Sequence, residues 1–215
     1  MAMTAMVTVI AAYLIGSINF AVIFAKMFLK KDVRELGSGN AGATNVMRNA
    51  GFWPGALTFL FDALKGFVAS FMGMLVFEYI FKTTGDVWAH GIYGAYLCGL
   101  ACMIGHVFPI FFQFKGGKGV ATSVGIFAVC SPWAIVIGLA VFAVCLLISK
   151  YVSLSSILAT VVVVICSIIF SDKDASILPQ IILCLAMAFI VITKHKENIK
   201  RLLSGTESKI GKKGK

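Results

Sequence analysis

Apolar positions in this chain fall in long unbroken runs, with neither the strict alternation of strands nor the single stripe of a surface helix. Five runs are clear: Thr4 to Ala25, Trp53 to Phe77, Val87 to Phe112, Val152 to Phe170 and Ala175 to Thr193. Each is close to the ~20 residues that carry a helix across ~30 Å of hydrocarbon. The alternating segments of a membrane barrel are absent from the sequence. A sixth stretch, Val120 to Ile148, is too long for one crossing and short for two complete ones. Within it, Cys130, Ser131 and Pro132 offer a break, because proline removes a backbone donor and disfavours helix at the residue before it. The pattern therefore predicts an all-α, polytopic transmembrane protein of about seven spans, with Val120 to Ile148 divided into two short helices of about 13 to 18 residues.

Composition supports this and charge orients it. Of 215 residues, 60% are hydrophobic and 13% charged, too apolar for a soluble domain of this size. The net charge of +10 sits in short polar segments between apolar runs, which points to membrane topology and away from nucleic acid. Lys26 to Arg48 carries five basic and two acidic residues, Lys115 to Lys118 two basic, and Lys194 to Lys215 eight basic and two acidic. If all three face the cytoplasm, seven spans put the amino terminus outside and the carboxyl terminus inside. The opposite segments, Glu78 to Asp86 and Asp172 to Asp174, carry two basic and four acidic residues, as that orientation requires. The first run has no basic residue before it and a lysine cluster after it, the order of a retained span and not of a cleaved signal. With no repeat and no linker, residues 1–215 read as a single membrane-embedded domain. The six cysteines lie inside apolar runs without metal-ligand spacing, and read as packing residues.

Three polar motifs occupy the basic segments. Gly37-Ser38-Gly39-Asn40-Ala41-Gly42-Ala43-Thr44-Asn45, ending on Arg48, combines backbone free to bend around an anion, short hydrogen-bonding side chains and a guanidinium fork. Lys115-Gly116-Gly117-Lys118-Gly119 precedes a predicted helix, where positive charge and a helix amino terminus together suit phosphate. It is not a Walker loop, since Gly119 and Val120 follow Lys118 where Ser or Thr would hold Mg²⁺. His195-Lys196-Glu197-Asn198 begins where the last span ends, and His195 and Asn198, three apart, share a helical face. A polar connector, a pair of topology anchors and a headgroup anchor are the respective bland alternatives. Asp62 and Lys65, at i and i+3 inside a span, read as a structural ion pair that positions the first motif; His106 reads as a supporting hydrogen-bonding residue and His90 as remote from the site. The absence of an acidic metal cluster or nucleotide fingerprint leads to an expectation of phosphorylated substrates, no metal and no cofactor. An organic-phosphate transporter is the competing class, and the lack of paired repeats counts against it.

Taken together, Gly37-Ser38-Gly39-Asn40-x-Gly42-Ala43-Thr44-Asn45-x-x-Arg48, Gly105-His106-x-Phe108-Pro109 with Phe114-Lys115-Gly116-Gly117-Lys118-Gly119, and His195-x-x-Asn198-Ile199-x-Arg201-Leu202-Leu203-x-Gly205-Thr206-Glu207 resemble the three motifs of the bacterial PlsY-type acyl-phosphate:glycerol-3-phosphate acyltransferases. The resemblance extends along the chain and includes Asp62-x-x-Lys65-Gly66. It implies transfer of a fatty acyl group from acyl phosphate to the 1-hydroxyl of glycerol 3-phosphate, giving lysophosphatidate and phosphate, at the cytoplasmic face of the bacterial inner membrane. On that basis Ser38, Lys115, His195 and Asn198 are the expected catalytic residues. Gly37, Gly39, Asn40, Gly42, Thr44, Asn45, Arg48, Gly116, Gly117, Lys118 and Gly119 are the expected phosphate-binding set. Either His195 or the leaving phosphate is expected to take the hydroxyl proton. Membrane lipid is the surrounding partner, and the oligomeric state stays open, with a monomer the working expectation.

Overall fold

The computed structural model describes residues 1–211, all helix and loop, with no strand among them. Residues 212–215, which hold three of the lysines counted in the basic tail, lie outside the described residues. The helices are α1 (Ala2–Gly16), α2 (Phe20–Leu29), α3 (Ala43–Ala50), α4 (Phe52–Thr84), α5 (Gly91–Val107), α6 (Val120–Cys130), α7 (Pro132–Ser149), α8 (Val152–Ile169), α9 (Ile177–Lys194) and α10 (Lys196–Leu203). Six units are long and apolar enough to cross a membrane, with α1 and α2 counting together, and the short apolar α6 is the seventh.

The break expected in the long stretch is where Pro132 begins α7, a position whose missing N–H a helix start does not use. The two halves are unequal, however: α6 has 11 residues and α7 has 18, so only α6 is too short to span alone. Ser131 between them is buried. The first run also departs from the single helix expected over Thr4 to Ala25. It turns at Ser17 to Asn19, where the Asn19 side chain accepts the Val22 N–H at 3.2 Å and starts a second helix. The carbonyl of Ile18 that this break frees accepts a hydrogen bond from Lys65 Nζ at 2.6 Å.

Lipid offers no hydrophobic drive between helices, so small residues that let backbones approach do the packing. α4 is the central post. Gly66 and Gly125 press α4 and α6 together, a Cβ on either colliding with the Thr122 or Ala63 carbonyl, and Gly73 and Gly94 do the same for α4 and α5. Gly16 and Gly105 seat α1 on α5. On the other side α7 pairs with α8 through Gly138 and Val163, while α9 packs against α5 and α8. The two groups enclose a space between α6, α7, α8 and α9, and the loops carrying all three motifs gather at one end of it.

Candidate active site

That space is a cavity of about 1920 Å³. Its deep walls are apolar, with Val124 and Phe127 of α6, Ile135 and Leu139 of α7, Val163 of α8 and Met187 of α9. Its mouth is polar, lined by residues of all three motifs, including Ser38, Arg48, Lys118, His195 and Asn198.

Two helix amino termini open on this mouth. α3 begins after Gly42 and α6 after Gly119, and neither has a side-chain cap, so the first N–H groups of each face the cavity without an internal partner. Together with the guanidinium of Arg48 and the ammonium of Lys118, they make two ends within one chamber whose positive charge suits anions. Gly37, Gly39 and Gly119 have φ of +54°, +69° and +86°, a region open to glycine without strain, and this lets the loops fold back to present those termini. Asn40 and Thr44 line the mouth, and the hydroxyl of Ser38 makes no hydrogen bond among the described residues.

Asn45 has a different place. It is 2% exposed; its amide donates to the carbonyls of Val33, Leu36 and Asn40, and its oxygen accepts from the Ser38 N–H and from Asn49. All of its hydrogen-bonding capacity goes into shaping the first loop, which leaves none for a phosphate. Gly116 and Gly117 likewise spend their N–H groups on the carbonyls of Val107 and His106, and a Cβ on Gly117 would strike the His106 ring. They serve close packing and not an anion nest. Lys115 is exposed, lies outside the cavity lining, and touches the rest through its backbone carbonyl, which Arg34 Nη1 approaches at 3.5 Å. The structure does not bring it to the other expected site residues.

The third motif holds the second. Lys118 Nζ donates to the side-chain oxygen of Asn198, whose amide donates to Glu207 Oε1 at 2.8 Å. Glu207 also accepts from Ser153 at 2.8 Å and from Arg201 at 2.7 Å. Burial would raise the Glu207 carboxyl, but the hydrogen bonds from Asn198, Arg201 and Ser153 outweigh it and hold the group below the usual range. Burial, with help from the charges of Arg201 and Arg48, brings Lys118 down to about 8 against the pull of Glu207. His195, 2% exposed, stands 2.7 Å through Nδ1 from the Val191 carbonyl, so Nδ1 carries the hydrogen and Nε2 keeps its lone pair. Burial first, and the Lys118 charge second, lower its pKa to about 4, which keeps the ring neutral at pH 7.

Sequence reasoning gave no role to several charged residues that line the cavity, Glu207 and Lys194 among them. Glu207 stands in the third motif without an assigned role, though a carboxylate close to that motif's cations is a signal for one. Lys194, whose Nζ lies 4.2 Å from the Phe108 ring centre, counts in the sequence only as the first residue of the basic tail. Inside the bundle, Asp62 and Lys65 form the expected ion pair at 2.7 Å, and His106 Nδ1 is 3.5 Å from the same carboxylate oxygen.

Comparison with known proteins agrees with this geometry. The family model described as glycerol-3-phosphate acyltransferase matches residues 6–205. Glycerol-3-phosphate acyltransferase 2 of Bacillus anthracis is 44% identical over 94% of this chain and 97% of its own length. The glycerol-3-phosphate acyltransferase of Thermoanaerobacter sp. strain X514 is 43% identical over 98% of both. Crystal structures of PlsY, an integral membrane glycerol 3-phosphate acyltransferase, match in the glycerol 3-phosphate form with a TM-score of 0.82 and 37% identity over 96% of each chain, and in a lysophosphatidic acid form with a TM-score of 0.80. With two positively polarised helix ends above an apolar chamber, and with these relatives along nearly its full length, the chain belongs to the glycerol-3-phosphate acyltransferase family.

Proposed function

We propose that this protein transfers a fatty acyl group from acyl phosphate to the 1-hydroxyl of glycerol 3-phosphate, giving lysophosphatidate and inorganic phosphate. The observation that carries the reading is the joining of two uncapped helix amino termini, with Arg48 and Lys118, to an apolar chamber between α6, α7, α8 and α9. One reactant then has a compact dianionic head and a hydrocarbon tail, and the other a phosphate and a hydroxyl. A thioester donor would need room for a nucleotide or a carrier protein at a mouth already crossed by residues 206–210, where Ser208 accepts from Arg48 and the Ile210 N–H reaches the Lys150 carbonyl.

In the proposed reaction the hydroxyl oxygen attacks the acyl carbon, the bond from that carbon to the phosphate oxygen breaks, and phosphate leaves with the electron pair. Mixed anhydrides need no covalent intermediate, so Ser38 donates a hydrogen bond and does not act as a nucleophile. Arg48 and Lys118 offset the repulsion between two phosphates and hold the reacting atoms in line. The Nε2 lone pair of His195 accepts a hydrogen bond from the attacking hydroxyl and orients it. With its pKa lowered to about 4, His195 is a weak base, whereas the trianionic phosphate released from a dianionic head is a strong one, so the hydroxyl proton ends on phosphate. Asn198 fixes Lys118 against Glu207.

By the charge count, the mouth faces the cytoplasm of a bacterial inner membrane, with the amino terminus outside and the carboxyl terminus inside. The test is made on purified protein in detergent, with labelled glycerol 3-phosphate. Acylation with palmitoyl phosphate, and none appreciable with palmitoyl coenzyme A or the acyl carrier protein thioester, is the expected result. Comparable rates with a thioester would overturn the donor assignment.

A further inference from the structure

The buried trio of Asp62, Lys65 and His106 takes no part in the steps above, yet lipid makes such groups costly to keep. The three are 1%, 4% and 4% exposed, and Asp62 and His106 reach the cavity wall. Lys65 is occupied on one side by Asp62 at 2.7 Å and on the other by the Ile18 carbonyl at 2.6 Å, which ties the trio to the turn between α1 and α2. His106 faces Asp62 with Nδ1 at 3.5 Å, and its other ring edge lies under Gly117. A Cβ placed on Gly117 would meet both Nε2 of His106 and the carbonyl of Ala41. The ring therefore sits at the junction between the loop that leads into α3, whose N-cap Gly42 follows Ala41, and the loop that leads into α6, whose N-cap Gly119 is two residues after Gly117. The backbone of His106 adds to this hold, because its carbonyl accepts the Gly117 N–H at 3.2 Å and the neighbouring Val107 carbonyl accepts that of Gly116 at 3.2 Å.

We infer that His106, braced by the Asp62–Lys65 pair, is a positioning residue that sets the separation of the two anion-binding loops. This rests on the proposed function, since the separation matters only if two phosphates must be held in register. Each loop has its own helix terminus and its own cation, so each binds its anion largely alone. What depends on both is the alignment of hydroxyl and acyl carbon, and small misplacements of reacting atoms cost about a hundredfold in rate. Loss of the His106 ring should thus lower kcat and leave binding of either substrate nearly unchanged.

The experiment compares full-length wild type with His106→Ala, His106→Gln and His106→Asn in detergent, measuring kcat, KM for both substrates and saturable binding of labelled glycerol 3-phosphate. Gln carries an amide to the place of Nε2 under Gly117, whereas Asn reaches only the place of Nδ1. The expected result is a kcat lowered about tenfold or more in the Ala and Asn variants, with KM and the number of binding sites within about threefold of wild type, and recovery of most of the turnover by Gln. A merely structural role would reduce binding sites and kcat together and give Gln no advantage over Asn; either outcome, or unchanged turnover in His106→Ala, overturns the inference. A wild-type protein that acylates no glycerol 3-phosphate would overturn the proposed function as well, and is told apart because every variant would then be silent.

Discussion

The ammonium of Lys118 rests on the side-chain oxygen of Asn198, a residue from the helix that follows the last span. The two residues are far apart in sequence, and this one hydrogen bond aims the half-buried cation at the mouth of the cavity while Glu207 holds Asn198 from behind.

Lys118, brought down by burial to about 8, carries its charge below that pH in the free protein and loses it above. Since kcat/KM reports the free enzyme, it should be roughly tenfold lower at pH 9 than at pH 7 for glycerol 3-phosphate or acyl phosphate. Saturating substrate brings dianions that favour the protonated lysine, so kcat should fall at higher pH than kcat/KM does. Lys118→Arg should flatten the alkaline limb whatever its absolute rate. An unchanged limb in that variant would assign the titration to another group.

Ser38 lies in the first loop and Asn45 in the first turn of α3, and substitution separates the proposed role of the one from the scaffold role of the other. Ser38→Ala should cut turnover about tenfold, on the order of 1.4 kcal/mol, without changing the midpoint of thermal unfolding in detergent. Asn45→Ala strips partners from the Ser38 N–H and from three carbonyls, and should lower stability by roughly 1–3 kcal/mol as well as activity. Equal midpoints for the two variants would contradict the scaffold role of Asn45.

The two lysines of the second motif also part company. Lys115 is exposed and outside the cavity, so Lys115→Ala should keep turnover within about threefold of wild type; Lys118→Ala should lose tenfold or more. Steady-state rates of the purified variants decide this, and matching losses would mean that Lys115 reaches the substrates after all.

Much of this was readable in the sequence for definite reasons. Proline declared the break before α7, because its missing N–H has a local effect whatever surrounds it. The turn at Ser17 to Asn19 contains no proline or glycine and was hidden by apolar neighbours; Asn19 ahead of Phe20-Ala21-Val22 was its one local sign. Glycines could be recognised as unusual but not sorted. Gly119 is there for its backbone angle and Gly117 for want of a side chain, and a single letter does not say which. Asn45 looked like a ligand because its chemistry suits phosphate. Only the fold reveals that three carbonyls claim it first.

Orientation across the membrane rests on charge counts and can be measured directly. With the six free cysteines replaced, a single cysteine in place of the exposed Lys173, between α8 and α9, should react with an impermeant reagent added to intact cells. One in place of the exposed Lys196 should react only after the membrane is opened. The reverse pattern would invert the assigned topology.

α4, with 33 residues, is about 50 Å long at 1.5 Å per residue, against roughly 30 Å of hydrocarbon. Near its two ends it exposes Trp53 and Tyr79, aromatic residues of the kind that settle at headgroup depth. The turn at Gly51, and Arg48 just before it, then stand in the headgroup layer, neither in bulk water nor among lipid tails. A water-soluble reactant and a fat-soluble one can meet there without either changing phase: the first arrives by diffusion in solution, the second by sliding within its own leaflet. For such a catalyst the concentration that matters for the fatty reactant is its mole fraction in the bilayer, so dilution with inert lipid or detergent should slow the reaction even at constant amounts of protein and both reactants per volume.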